Sequence, residues 1–140
     1  MFGEPEKVDY RANVERGIDT SGMLMLQYPG FLAVSIAAKD CATPRSFVIQ
    51  GTEGYIQQNS PVNACREIVL HLNDGTEEMF NENPPSRLEP EFRAFLEQIE
   101  SGDPAQCYKA VDHCVLVSAV QTQARLGTGI YFPADGEGQA

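Results

Sequence analysis

The sequence has 140 residues, of which 42% are hydrophobic and 21% charged, as in an ordinary globular domain and unlike a disordered segment. Twenty acidic residues against ten basic ones give a net charge of −10, which repels phosphate and therefore disfavours nucleic acid and anionic membranes as partners. The apolar runs are shorter than the roughly 20 residues of a membrane span, and the first residues lack a signal-peptide pattern. We therefore expect a cytoplasmic protein with one domain over residues 1–133 and a loose tail over 134–140.

The first two thirds of the chain predict strands joined by short turns. A strand is expected from Val8 to Val14, followed by a hairpin of residues 23–28 and 31–36 around Pro29-Gly30, where proline presets φ and glycine supplies a positive φ. Two further hairpins are predicted, one pairing residues 46–50 with 54–57 and one pairing 66–72 with 76–80. Such short connections favour antiparallel pairing.

The apolar residues of these strands do not alternate cleanly with polar ones. One set of alternate positions is strongly apolar: Leu24, Leu26, Leu32, Val34, Ile36, Phe47, Ile49, Ile68, Leu70 and Leu72. The opposite positions are only partly polar: Met23, Met25, Phe31, Ala33, Ser35, Ala37, Val48 and Val69. An antiparallel sheet with one face in water alternates more strictly. The second face is therefore predicted to meet a subunit, another domain or a ligand, the alternative being scattered surface apolar residues.

The last third of the chain predicts two helices. An apolar stripe at helical spacing marks the first: Leu88, Phe92, Phe95, Leu96 and Ile99. This helix could start with a capping box of Ser86 and Glu89 or with Pro90 at its first position, and it should end at Gly102. The second helix is expected from Tyr108 to Leu126, with a wide apolar arc buried against the sheet. A final strand is expected at residues 130–132.

The four cysteines do not form a metal or redox motif. Cys41, Cys65, Cys107 and Cys114 lack the spacing of two to four residues that such motifs use. On one helix Cys107 and Cys114 would lie about 10 Å apart along the axis, too far for a disulfide. All four are therefore predicted to be reduced, with no metal bound.

No complete catalytic or cofactor site is recognisable either. The glycine pairs at 51 and 54 and at 127 and 129 do not open a helix, as a dinucleotide-binding turn requires. His113 lies within the second predicted helix, whereas His71 lies on a strand, where it could line a contact surface. No serine lies in a nucleophile elbow. A pair of carboxylates brought together by the fold remains open.

Several motifs in order resemble a known family. They are Phe2-Gly3-Glu4-Pro5, Gly17-Ile18-Asp19-Thr20, the residues 26–30 (Leu-Gln-Tyr-Pro-Gly), the residues 47–56, the helix from Glu91 to Ile99, and a closing helix that ends at Gly127 before residues 130–133. From about Phe2 to Pro133 the chain resembles the C-terminal domain of the glucose–fructose oxidoreductase/inositol dehydrogenase (Gfo/Idh/MocA) family. A minor departure is Gln123-Ala124, where a Ser-Ala pair is common.

The resemblance implies an α+β fold with a large, mostly antiparallel open sheet and two helices packed on one face. It also implies that the other sheet face serves subunit contact or borders the substrate cleft, and hence a homo-oligomer. Members of this family are NAD(P)-dependent dehydrogenases or reductases of sugars, polyols and similar small molecules. Their Rossmann domain and their Asp-x-x-x-His helix precede the matched region. No catalytic or cofactor residue is therefore assigned in this chain, which alone is expected to be inactive; NAD or NADP is expected for a full-length parent.

In the family, the segment that enters the strand beginning at Phe47 often approaches the substrate. Thr43 and Arg45 are therefore predicted to contact it. The first hypothesis is a substrate-side and subunit-contact domain isolated from its Rossmann domain. The alternative is a free-standing, non-enzymatic, sheet-backed dimer that binds a small ligand or a partner protein. Substrate and cofactor preference stay open.

Overall fold

The computed structural model describes residues 2–61, 64, 66–81, 86 and 88–135. The strands within this part of the chain are β1 (Lys7–Glu15), β2 (Ile18–Tyr28), β3 (Phe31–Ala38), β4 (Phe47–Gly51), β5 (Gly54–Gln58), β6 (Ile68–Leu72) and β7 (Glu77–Phe80). The helices are α1 (Glu89–Ser101) and α2 (Ala105–Gly127), and a 3-10 turn follows at Pro133–Asp135. The predicted α+β class with antiparallel strands is confirmed, with the strands divided over a sheet of three and a sheet of four.

The chain forms two compact units. Unit 1 comprises residues 1–43 and 104–140 and contains β1, β2, β3 and α2, whereas unit 2 comprises residues 44–103 and contains β4 to β7 and α1. Neither described helix combines the length and the apolar character that crossing a bilayer requires. One domain over residues 1–133 stays a prediction, and most of the expected tail, residues 136–140, lies outside the described residues.

The sheet of unit 1 is an antiparallel meander in the order β1-β2-β3. Its β2–β3 hairpin closes with Tyr28 opposite Phe31, so the predicted Pro29-Gly30 turn is confirmed, and Gly30 has a positive φ of 86°. Because the turn holds two residues, even-numbered residues of β2 lie opposite odd-numbered residues of β3. Each face of the sheet therefore carries residues of both sets, the strongly apolar positions and the partly polar ones, that the sequence pattern distinguished.

The cross-strand register corrects the predicted distribution of apolar side chains. Leu24 lies opposite Ser35, and Met25 opposite Val34. The strongly apolar positions of β3 thus share a face with the methionines of β2 and not with Leu24. That face is open, since Leu32 is 60% exposed and Ile36 is 70% exposed.

The helix of unit 1 packs on β1, and it is buried less widely than predicted. Of its residues only Ala124 is buried, whereas Tyr108, Val111 and Val115 are exposed. A helix of 23 residues is about 34 Å long, but three strands are only about 10 Å across, so such a sheet covers a short part of it. The prediction of a largely buried second helix is therefore wrong within the described residues.

The final strand predicted at residues 130–132 is also wrong. The backbone N–H of Gly129 donates to Leu126 O at 3.0 Å, and that of Ile130 donates to Arg125 O at 3.2 Å. These bonds turn the chain back onto the end of α2 and use the backbone groups that a sheet would need. Ile130 is consequently one of the most buried residues, at 5% exposure.

Unit 2 contains an antiparallel sheet in the order β4-β5-β6-β7, as the two predicted hairpins require. Its helix α1 has proline in its first turn and no side-chain hydrogen bond at the cap, so the capping-box alternative is not the one adopted. It ends at Gly102 in the left-handed conformation, with φ of 64°, as predicted. No residue of α1 is buried, and Ile99 on its apolar stripe is 76% exposed.

Candidate functional site

A cavity of about 460 Å³ lies within unit 1, between the sheet and the C-terminal part of α2 with the residues after it. The sheet side is lined by Tyr10, Ile18, Asp19, Gly22, Leu24, Ser35, Ala37 and Lys39. The helix side is lined by Gln121, Ala124, Arg125, Ile130 and Phe132. The volume falls within the range of about 300–1,000 Å³ that is usual for small-molecule sites.

A chain of polar side chains forms one edge of this cavity. The hydroxyl of Tyr10 donates to Asp19 Oδ2 at 2.7 Å. Lys39 Nζ donates to Asp19 Oδ1 at 2.7 Å and to the backbone O of Asp19 at 2.8 Å. Asp19 therefore accepts from a phenol and an ammonium at once.

A β-bulge brings Asp19 to this edge. The β1–β2 register shifts between Asn13 and Val14, so that Asn13 lies opposite Ser21 but Val14 lies opposite Asp19. Thr20 is the extra residue, and beyond it the side chains of β2 exchange faces, as bulges commonly cause. Asp19 thus lines the cavity together with residues of even number, such as Gly22.

The charge state of this edge follows from its contacts. Burial, together with the hydrogen bond to Asp19, raises the pKa of Tyr10 to about 12. The hydrogen bonds from Lys39 and then from Tyr10 lower the pKa of Asp19 below its ordinary value of 3.8. At neutral pH the phenol is therefore a neutral donor, and the negative charge of Asp19 is balanced by Lys39.

Gly22 makes room for the Tyr10 ring. A Cβ at this position would lie 2.5 Å from Tyr10 Oη and 2.6 Å from Cε2. Any side chain here would therefore displace the ring from above β2. The glycine is required by this close approach, since its φ is not in the positive region.

Arg125 holds the opposite wall in place. It donates to both carboxylate oxygens of Asp135, with Nη2 to Oδ1 at 2.8 Å, and to Ile130 O at 2.8 Å. Its guanidinium lies 4.2 Å from the centre of the Phe132 ring. The Arg125 bonds and the backbone N–H of Phe132 lower the pKa of Asp135 to about 2. This ion pair keeps Ile130 and Phe132 against the cavity.

Two further polar side chains line the cavity without protein partners. Neither the Ser35 hydroxyl nor the Gln121 amide has a hydrogen-bond partner in the part of the chain that the structure describes. Each of these groups both donates and accepts. They are available to a ligand.

Thr43 and Arg45, the predicted substrate contacts, lie between β3 and β4. Both are exposed, and neither lines the cavity of unit 1. Thr43 is the last residue of the first segment of unit 1, and Arg45 belongs to unit 2. Their role stays a prediction.

His71 lies on β6, where the sequence placed it. Its ring stacks on Tyr55 with centroids 4.4 Å apart, and Nδ1 lies 2.8 Å from Glu77 Oε1. The register explains this group, since His71 is opposite both Tyr55 and Glu77. His113 is half-buried on α2.

Three of the four cysteines are described. Cys41 and Cys114 are free and exposed, and Cys107 is exposed, whereas Cys65 lies outside the described residues. In the described chain, no three His, Cys, Asp or Glu side chains group as metal ligands.

Sequence reasoning missed the Tyr10–Asp19–Lys39 group because its members are 9 and 20 residues apart and depend on a bulge. The sequence feature that could have indicated part of this group is the two-residue turn at Pro29-Gly30, which fixes the register of β2 and β3. That register places Lys39 beside the start of β2, where its N–H donates to Thr20 O at 2.7 Å.

Comparison with known proteins finds one informative similarity. No protein-family model matches the chain. The chain is 25% identical over 139 residues to the scyllo-inositol 2-dehydrogenase (NADP(+)) IolU of Bacillus subtilis (strain 168). The match covers 96% of this chain and 42% of that protein, so the chain spans less than half the length of this relative. This weak homology confirms the predicted resemblance to the C-terminal domain of the Gfo/Idh/MocA oxidoreductases.

Proposed function

We propose that this chain is the substrate-side and subunit-contact domain of a cytoplasmic NAD(P)-dependent oxidoreductase that acts on a sugar, polyol or similar small molecule. The observation that carries the proposal is the similarity of nearly the whole chain to 42% of an NADP⁺-dependent inositol dehydrogenase. A match of this kind is expected when one domain of a two-domain enzyme is compared with the whole enzyme. The Rossmann domain of the parent would supply the dinucleotide site.

The lack of a recognisable dinucleotide motif in the sequence supports the proposal that the Rossmann domain of the parent supplies the dinucleotide site. In the sequence no glycine-rich stretch precedes either helix, of which α1 is capped by Leu88 and α2 by Pro104. The Rossmann dinucleotide-binding motif places such a turn before a helix N-terminus that binds phosphate. We therefore place the nicotinamide cofactor in the Rossmann domain of the parent protein.

The open faces of the sheets support a role in subunit contact. On unit 1, Leu32, Val34 and Ile36 of β3 are exposed next to Met23 of β2. Exposed apolar patches of this kind mark interaction surfaces. We assign the face to a second copy of the parent, which makes the enzyme a homo-oligomer. The free Cys41 and Cys114 suit a reducing compartment.

The size of the native polypeptide tests the placement of the cofactor domain. An immunoblot of the source cells with antibodies to this chain should show a band of more than twice 15.4 kDa. The same polypeptide should oxidise an inositol with NAD⁺ or NADP⁺. A band near 15 kDa, or binding of NADPH to the 140-residue chain alone at micromolar concentration, contradicts the proposal.

The substrate contacts can be tested in the full-length oxidoreductase. Replacing Arg45 by Ala should raise the KM for the polyol at least about tenfold, because a hydrogen bond from a charged group contributes about 1.5–3 kcal/mol. The matched control is Arg16→Ala in the exposed β1–β2 turn, which should leave KM unchanged. Equal KM values for both variants would remove Arg45 from the substrate site.

The alternative function is a free-standing, non-enzymatic, sheet-backed dimer that binds a small ligand or a partner protein. One observation favours it, namely that unit 1 contains a cavity of ligand size in its own fold. A native polypeptide near 15 kDa that forms a dimer in solution would support this alternative.

A further inference from the structure

The geometry points to a second kind of site in unit 1: its cavity binds a small uncharged molecule that has an apolar ring or chain and one hydroxyl group. This inference does not rest on the proposed oxidoreductase function, because every residue that carries it lies in unit 1. It concerns the 460 Å³ cavity between the sheet and the end of α2.

The walls of the cavity select an apolar body. Seven of the thirteen lining residues are aliphatic or aromatic: Tyr10, Ile18, Leu24, Ala37, Ala124, Ile130 and Phe132. Ala124 and Ile130 are among the most buried residues of the described chain. Ligand sites are typically lined in this way, with a few polar groups that orient the ligand.

The charges of the cavity select a neutral ligand. Asp19 is neutralised by Lys39, and Arg125 by Asp135, each at hydrogen-bond distance. A charged ligand would bring an unpaired charge against apolar walls, which is costly. An uncharged ligand avoids this cost.

The polar edge selects a hydroxyl group. Lys39 uses two of its three N–H groups on Asp19, so one donor remains. Tyr10 donates its proton to Asp19, so its oxygen still accepts. One donor and one acceptor, both on groups that bind Asp19, match a hydroxyl, which donates and accepts. Ser35 and Gln121 add two more groups of the same kind.

The site is built before any ligand arrives. Gly22 leaves the space in which the Tyr10 ring lies, and the Arg125–Asp135 pair fixes Phe132 and Ile130. Such preorganisation lowers the entropic cost of binding.

Three compounds with the same ring but different charge test the inference: cyclohexanol, cyclohexanecarboxylate and cyclohexylammonium. Each is titrated into the ¹⁵N-labelled 140-residue chain and followed by amide chemical shifts. Cyclohexanol should shift the amides of Leu24, Ala124 and Ile130 saturably, with a Kd on the order of 1 mM, which corresponds to about −4 kcal/mol. The two charged compounds should bind at least tenfold more weakly.

Variants decide whether the shifts come from the cavity. Ala124→Leu fills it and should weaken cyclohexanol binding at least tenfold, and Ala37→Leu fills it from the sheet side in case the first variant does not fold. The matched control is Phe95→Ala on the exposed stripe of α1, which should bind cyclohexanol like the unmodified chain. Absence of saturable shifts, equal or tighter binding of a charged compound, or unchanged binding in the folded filled variants would overturn the inference.

Discussion

The hydrogen-bonded clusters of the two units differ in charge. In unit 1 they contain ion pairs, Lys39 with Asp19 and Arg125 with Asp135, beside the neutral phenol of Tyr10. In unit 2 the most buried polar side chains are the neutral Gln58 and Ser60. Charged pairs make a structure sensitive to pH, whereas neutral hydrogen bonds do not. The units should therefore respond differently to the same change of conditions.

The neutral network of unit 2 organises the loop after β5. Gln58 Nε2 donates to Ser60 Oγ at 3.1 Å and to Pro61 O at 2.9 Å. Ser60 Oγ lies 2.8 Å from Arg66 O and accepts from the Arg66 N–H at 3.3 Å. One hydroxyl thus joins the two ends of this loop without using a charge.

The largest effect is expected from Gly22→Ala in unit 1. The new Cβ would clash with the Tyr10 ring and break its bond to Asp19, which should lower the free energy of unfolding by about 2–3 kcal/mol. The control is Gly127→Ala, because a Cβ there meets nothing within 4 Å. Urea titrations followed by the amide signals of each unit measure both variants. Equal stability of the two would show that the Tyr10 ring is not fixed over Gly22.

Ser60→Ala in unit 2 should have a smaller effect. Gln58 and the Arg66 N–H each lose a partner, which should lower the free energy of unfolding by about 1–2 kcal/mol. Since no group in this network titrates, the loss should be the same at pH 4 and pH 8. Ser46→Ala, at an exposed position before β4, serves as the control. A loss that changes with pH would contradict the comparison of the two units.

Asp135→Asn should reduce the acid sensitivity of unit 1. The folded pKa of Asp135 is depressed to about 2 from 3.8, so its stabilising effect is present above pH 3.8 and is lost as the pH falls toward 2. The variant should be less stable than the unmodified chain at pH 7, and the difference should shrink below pH 4. The signals of unit 1 in denaturation series at several pH values measure this. A difference that persists unchanged at pH 2 would rule out the ion pair as its source.

The smallest expected effect is a change in the ultraviolet titration of the tyrosine phenols. The Tyr10 pKa is raised to about 12 from 10.0, so the stability that its protonated form contributes is present below pH 10 and is lost as the pH rises through 12. Ultraviolet titration of the phenols should show one late-titrating tyrosine, and Tyr10→Phe should remove it. Tyr131→Phe, at an exposed position, should leave it in place. If Tyr131→Phe removes the late step instead, the assignment to Tyr10 is wrong.

Local chemistry made much of the fold predictable. The turns at Pro29-Gly30 and around Asp74 are determined by residues next to one another, and the predicted hairpins formed there. The stop of α1 at Gly102 is also a local effect. The assignment of apolar side chains to sheet faces failed because it depends on pairing between strands. The two-residue turn at Pro29-Gly30 already determines this pairing, because it places even-numbered residues of β2 opposite odd-numbered residues of β3.

The polar residues of the cavity in unit 1 were harder to predict from the sequence. Asp19 reaches the cavity only because Thr20 forms a bulge, and nothing in the local sequence requires the bulge at that residue. The clamp between Arg125 and Asp135 depends on the chain folding back after α2, in a stretch whose apolar residues resemble a strand. The proposed contacts Thr43 and Arg45 stay predictions, since they rest on the resemblance alone.

The bulge at Thr20 makes the polar edge tolerant of a change in chain length. Deleting this single codon would restore a regular two-residue alternation through β2. The Asp19 carboxylate would stay on the cavity side of the sheet, because it would still lie opposite Val14. The late-titrating phenol should therefore survive such a deletion. An inherited loss of this one residue can leave the binding chemistry of unit 1 in place without redesigning the fold.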